Sequence, residues 1–433
     1  MKVKLLQLFA YASCLCLLTW SCKKEALDNV GLPPNSANLT APPPTQSSGA
    51  RSSRLIAKAG SIPKVDEFSD YLSKRIARAR LNKNVVVPSQ CGPTALDKVI
   101  DKYFSKFGPL EFDWFFEYIV INQFSTLIDV SKQYFGANGQ YTPVVVKHQK
   151  TLEPFWKMFN EIKINGQHNS TLNSRDKIAE VLIYFFGFPT ADAYAFANEM
   201  IAINIISPVF IETPLLSFDA FATTNEFIPL DADLIVLSDG IIEALSETGI
   251  GSNVVVGGVL SHEWGHQVQF NYSKKWYGVE LGAWPSTPDF TRFTEMEADC
   301  FSGYYLTHNK GAQYNWRQIA QFLYLFYTIG DCAFTDPGHH GTPNQRFAAS
   351  RLGFLIAELT FPRSKVLSAD QVHELYSAGY DHIIKNSINL KQALARLKTE
   401  ELKAIFAKIV IRKTELQSIA NGSIDKNTIE NLR

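Results

Sequence analysis

The chain has 433 residues, with 42 basic and 42 acidic side chains and a formal net charge of zero. That balance, with no basic block, excludes the electrostatic footprint of a nucleic-acid-binding protein or of one drawn to anionic lipid. With 46% hydrophobic and 19% charged residues, the composition also excludes global disorder and suits a large core. At roughly 150 residues per domain the length suggests two or three domains, fewer once a non-globular N-terminus is set aside.

Residues 1–20 carry Lys2 and Lys4 ahead of an apolar run over 5–18. A basic start and a short apolar core make an export signal, and the run falls short of the roughly 20 apolar residues of a membrane-spanning helix. It ends in Thr19-Trp20-Ser21-Cys22-Lys23-Lys24. This resembles a lipoprotein cleavage site of the relaxed Bacteroidetes type, with Trp20 as a departure. The resemblance implies that residues 1–22 are removed as a signal and that Cys22 becomes a lipidated N-terminus. The protein is then expected in the bacterial cell envelope, lipid-anchored in the membrane and facing the periplasm or the exterior. An ordinary signal peptide without lipid is the alternative. Residues 30–60 hold Pro33-Pro34, Pro42-Pro43-Pro44 and Ser47-Ser48-Gly49 with few bulky apolar residues, the composition of a disordered tether over 23–60. Of six cysteines, Cys14, Cys16 and Cys22 belong to the signal, leaving Cys91, Cys300 and Cys332. An odd count in an exported protein means a free thiol or an external partner, and a Cys300–Cys332 bridge stays open.

The body reads mostly helical. Ser89-Gln90-Cys91-Gly92-Pro93-Thr94 marks a turn starting a helix over 94–107, with Pro93 or Thr94 near its cap. The same stretch resembles the cysteine-glycine-proline start of papain-like peptidases, but Gln90 is directly adjacent to the cysteine and no supporting His appears at a recognisable spacing. Residues 110–135 carry aromatics too dense for one face, as in a buried helix. Further helices are expected over 174–187, capped by Ser174, and over 190–204, after Pro189-Thr190. The clusters Phe155-Trp156-Phe159 and Tyr184-Phe185-Phe186 read as core rather than as sugar-stacking platforms, because they fall at helical spacing in apolar segments. Residues 61–210 thus form a helical N-terminal region of unassigned role. A strand pair is expected from 215 to 238, with Pro229 and Asp231 between the strands. Helices return at 351–359, 368–385, 390–397 and 399–412, so 361–433 forms a C-terminal helical region.

The chemistry concentrates in residues 252–270. Ser252 is a candidate N-cap. On a helix, His262 and His266 lie four apart and share a face. Two imidazoles at that spacing can hold one zinc ion, with Glu263 in reach of its bound water. The surrounding helix is apolar on almost every side, and two buried histidines need partners. Gly257, Gly258 and Gly265 each cost up to about 1 kcal/mol in a helix interior, understandable where neighbouring chain approaches closely. A third ligand is sought in Thr294-Glu295-Met296-Glu297-Ala298-Asp299-Cys300. Glu295 and Asp299 share a helical face, and Glu297 points away. Glu295 as ligand and Asp299 as hydrogen-bond partner of a ligand histidine would both come from one helix turn. In His340-Gly341-Thr342-Pro343-Asn344-Gln345-Arg346, Gly338, Gly341 and Pro343 mark a loop. A loop histidine reaching the site can donate to a developing oxyanion, and Arg346 can pair with Asp299 or anchor the loop.

Together, His262-Glu263-Trp264-Gly265-His266-Gln267-Val268-Gln269, the block from Glu295 to Gly303, and the block from His340 to Arg346 resemble the three motifs of the bacterial neutral zinc metallopeptidase family. The resemblance spans roughly residues 215–357. It implies an α+β, mostly helical fold: a zincin-like metallopeptidase core over 211–360, with a small β-sheet packed on the metal-binding helix. It implies one Zn2+ per chain on His262, His266 and Glu295, Asp299 behind a ligand, Glu263 as catalytic base, and a catalytic histidine in the third block, His340 or the adjacent His339. The expected reaction is hydrolysis of a peptide or protein substrate. The stretch over 219–242 is similar to the one before the metal helix in CAAX-protease-type zincins, where a sheet edge receives an extended peptide. Cys332 departs from the family, which usually has a second acidic residue there. The competing reading is a membrane-anchored lipoprotein that binds peptide or glycan, its zinc site structural or inactive and closed by a fourth ligand such as Asp336, His339 or His340.

Overall fold

The computed structural model describes residues 93–225, 232–330 and 340–422. The export signal, the tether, Cys22, Cys91, Cys332, Asp336, His339 and the turn with Pro229 and Asp231 lie outside them. In chain order the elements are α1 (Ala95–Phe104), α2 (Pro109–Ile128), α3 (Thr142–Trp156), β1 (Ile162–Gln167), α4 (Arg175–Phe186), α5 (Thr190–Ile206), β2 (Ala220–Thr223), β3 (Asp233–Ser238) and α6 (Asp239–Glu247). Then follow α7 (Ser252–Tyr277), α8 (Pro288–Thr307), α9 (Trp316–Thr328), α10 (Pro343–Leu359), α11 (Ala369–Gly379), α12 (Leu390–Arg396), α13 (Glu400–Ile411) and α14 (Lys413–Ala420). The described residues are therefore mostly helical with one small sheet, the α+β class expected.

Local chemistry explains many boundaries. Thr94 caps α1 in a capping box with Asp97, and Ser174 caps α4 by accepting from the Lys177 N–H. Three expectations need correction. The helix expected over 110–135 ends at Ile128, because Asn165 Nδ2 takes the carbonyls of Thr126 and Asp129 at 2.8 and 3.1 Å, while the Asp129 side chain accepts the Ser131 N–H. Ser252 is the first residue of α7, not its cap; its hydroxyl lies 3.0 Å from that of Ser246, and Gly251 takes the cap position. Pro343, expected to mark a loop, is the first residue of α10, whose N-terminus Thr342 and Gln345 close as a capping box. Arg346 is accordingly held on a helix.

The expected strand pair is β2 and β3, antiparallel, with Ala220 opposite Leu237 and Thr223 opposite Leu234. A third strand, β1, pairs parallel to β3, with Ile162 opposite Asp233, giving the order β1-β3-β2. This strand lies inside the region 61–210 expected to be helical and corrects that reading; its Asn165 serves the end of α2. The sheet packs on α7 through Gln267, whose amide donates to Thr223 O at 3.0 Å and Leu234 O at 2.9 Å. Most of the aromatic clusters are core, with Phe155, Trp156 and Tyr184 buried; Phe159, beyond the end of α3, is 58% exposed. One buried apolar cluster runs from Leu96 to Ile419, so the N-terminal, central and C-terminal regions share a core.

Two close crossings bring the helices of the site together. A Cβ on Gly265 of α7 would stand 3.0 Å from the Ala298 Cα of α8. A Cβ on Gly353 of α10 would stand 2.0 Å from the Cys300 carbonyl oxygen of α8. Side chains at neither position fit without displacing backbone, so glycine sets how near α7 and α10 come to the acidic turn of α8. Cys300 is a buried free thiol beneath this crossing.

The far side of α7 carries a titration switch for stability. His148 of α3 is buried, its Nδ1 3.0 Å from the Tyr305 hydroxyl. Burial, helped by Lys147, pulls its pKa down from 6.5 to about 4. Below pH 6.5 the unfolded chain takes up a proton that the folded chain refuses, so stability is full above pH 6.5 and falls as pH drops toward 4. The loss is at most about 3 kcal/mol. Urea unfolding at pH 7 and pH 4.5 is expected to show a smaller acid loss in His148→Gln than in wild type; identical pH slopes would sink this assignment.

Candidate metal centre

The residues singled out in α7 and α8 converge. His262 and His266 project from one face of α7, with ring centroids 4.7 Å apart at 90°. Glu295 reaches them from α8: its Oε2 is 3.2 Å from His262 Nε2 and its Oε1 is 3.4 Å from His266 Nε2. The two Nε2 atoms are 3.1 Å apart. Among the described residues these three form the group able to hold a metal ion, each offering one donor atom within 4.8 Å of the others.

The polar contacts behind the rings bear on what this group can hold. His262 Nδ1 lies 3.0 Å from Asp299 Oδ1, an ion-pair contact, and the carboxylate on that side favours the tautomer with its proton on Nδ1 and its lone pair on Nε2. His266 Nδ1 lies 2.8 Å from Gln269 Oε1. The Gln269 amide nitrogen donates to Thr294 O at 2.7 Å and to Glu297 Oε2 at 3.1 Å, which leaves only its oxygen to face His266. His266 therefore also carries its proton on Nδ1. Two Nε2 lone pairs and a carboxylate then point at one another across little more than 3 Å. Such a set is stable around a cation. Four ligands at about 2.0–2.1 Å in a tetrahedron are about 3.3 Å apart, so the observed spacings fit a zinc ion. Without an ion, burial would push the His266 pKa down, and the Glu295 charge beside it overcomes this and holds it up.

Asp299 is itself held firmly. Arg346 of α10 donates to both of its oxygens, each at 2.8 Å, and both residues are fully buried. The guanidinium also lies 3.9 Å from Glu295 Oε2 and over the Phe326 ring. Arg346 thus pairs with Asp299, one of the two roles its sequence position suggested. No acidic residue of this turn is a solvated surface group: Glu295, Glu297 and Asp299 are 8%, 0% and 0% exposed.

Glu263 is buried at 3% exposure, near enough to His266 for its charge to raise that pKa. His340 is buried and precedes Gly341, where a Cβ would stand 3.3 to 3.4 Å from the Met296 and Arg346 side chains. It is not one of the three converging residues. The two ligand groups with most exposure are His266 and Glu295, at 12% and 11% of their side chains, against 3% for His262, so the site opens on their side. Gln269, Tyr277 and His373 carry no role in the sequence reading. Gln269 had a usable signal, since it follows His266 by three residues and lies on the same helical face.

Comparison of the chain with protein-family models, with curated proteins and with solved structures gives no match. The functional reading rests on the residues themselves.

Proposed function

We propose that this protein is a zinc-dependent metallopeptidase. The observation that carries the reading is the convergence of His262, His266 and Glu295 on one point, with Asp299 behind the first imidazole at 3.0 Å and a hydrogen bond to Gln269 behind the second. A structural zinc site is closed by four protein ligands, whereas a catalytic one keeps a position open. Three donors converge here, and His340, the described candidate for a fourth, is not among them, which supports the open site of a catalytic ion. The zincin-like assignment of residues 211–360 is part of the same proposal, supported by a metal helix that packs on a small sheet and crosses a helix bearing the third ligand.

In this reading His262, His266 and Glu295 hold the ion, which supplies a Lewis acid and an activated water. Glu263 takes the proton of the attacking water and returns it to the leaving amine. His340 donates a hydrogen bond to the developing oxyanion of the scissile carbonyl. Asp299 keeps His262 in the right tautomer and Arg346 keeps Asp299 in place. The lipid on Cys22 and the cell-envelope location belong to the proposal on the strength of the sequence pattern alone. No described helix is long and apolar enough to cross a membrane.

The test is zinc content of the purified mature protein, with His262→Ala in parallel, followed by digestion of an unfolded protein substrate with and without chelator. The expected result is a zinc ion lost in the variant and hydrolysis stopped by the chelator. A well-folded wild type that takes up no zinc when it is supplied would overturn the reading.

A further inference from the structure

We propose that Gln269 is the positioning residue for His266, that Glu297 anchors it, and that the C-terminal region supports the metal site through His373; this rests on the metal-site reading above. The two ligand histidines are held differently. His262 leans directly on a carboxylate, Asp299. His266 leans on an amide, Gln269, and a neutral amide has two ways to face. Its orientation is fixed from behind. Thr294 O can only accept, and Glu297 as a carboxylate accepts as well, so both demand the NH2 end and turn the oxygen toward His266.

Glu297 does not reach toward the metal ligands, in line with its place on the helix, but it is completely buried. It collects donors from three directions: the Gln269 amide, the Tyr277 hydroxyl and His373 Nδ1 at 2.5 Å. Three donors offset the cost of burying the carboxylate. His373 comes from α11, beyond the span that resembles a metallopeptidase, and its ring stacks on Trp276 of α7 at 4.3 Å and 5°. A continuous chain of hydrogen bonds thus runs from His266 through Gln269 and Glu297 to α11. The acidic turn of α8 secures both imidazoles, one through Asp299 and one through Glu297. The C-terminal helices are, on this inference, part of the apparatus that fixes the ligand geometry.

The experiment measures Zn2+ affinity of the full mature chain by competition with a chromophoric chelator, and the visible bands of the Co2+-loaded protein. Gln269→Met keeps length and burial but removes the acceptor for His266. It is expected to bind Zn2+ about 10–100-fold more weakly and to shift the Co2+ bands, which report the ligand field and not the fold. His373→Phe keeps the stack on Trp276 and removes only the hydrogen bond to Glu297; a several-fold loss is expected, and it carries the test if Gln269→Met fails to fold. A folded Gln269→Met or, in its place, His373→Phe with wild-type affinity and unchanged Co2+ bands would overturn the inference while leaving the metal site standing. A wild type that binds no Zn2+ would remove the metal-site reading and this inference with it.

Discussion

Glu263→Gln is expected to lower peptide hydrolysis by about 10² to 10⁴-fold while zinc content stays at the wild-type level. The argument is one of position and charge. Glu263 follows His262 on α7, is buried at 3% exposure, and interacts electrostatically with His266, the two histidines proposed as ligands. Gln has the same shape but cannot hold a proton taken from water. It offers no carboxylate to the metal group either, because the converging donors are His262, His266 and Glu295. Turnover and metal content measured on the same preparation therefore separate the base from the ligands. A variant that keeps zinc and full activity would exclude Glu263 as the base. One that loses zinc would show it to be a ligand.

Arg346→Met is expected to cost about 3–5 kcal/mol of folding stability. The Asp299 carboxylate is fully buried, and Arg346 supplies both of its short contacts at 2.8 Å. Removing the guanidinium leaves a buried charge with His262 as its remaining neighbour. Zinc affinity should fall as well, since Asp299 would lose the orientation that holds His262. The companion change Asp299→Asn removes the stranded charge. The double variant is expected to be less destabilised than the sum of the singles, because the two residues act as one unit. Urea unfolding of the four proteins measures this directly. A loss below about 1 kcal/mol for Arg346→Met, or strict additivity, would show that the pair does not carry the site.

What the chain determines by itself is local and periodic. The i, i+4 spacing puts His262 and His266 on one face of α7, and Glu295 and Asp299 on one face of α8, whatever those helices pack against. Caps such as Thr94 and Ser174 are equally local, each closed within three residues. The tertiary structure decided everything that joins distant segments. It made a strand of Ile162–Gln167, inside a region that reads as helical, by giving it β3 as a parallel neighbour and giving Asn165 the end of α2. It placed Arg346, on the helix that Thr342 and Gln345 cap locally, against Asp299 of α8. It brought Glu297, Tyr277 and His373 together behind Gln269. A periodic pattern says which way a side chain faces. Only a close crossing, of the kind Gly265 and Gly353 permit, says what it meets there.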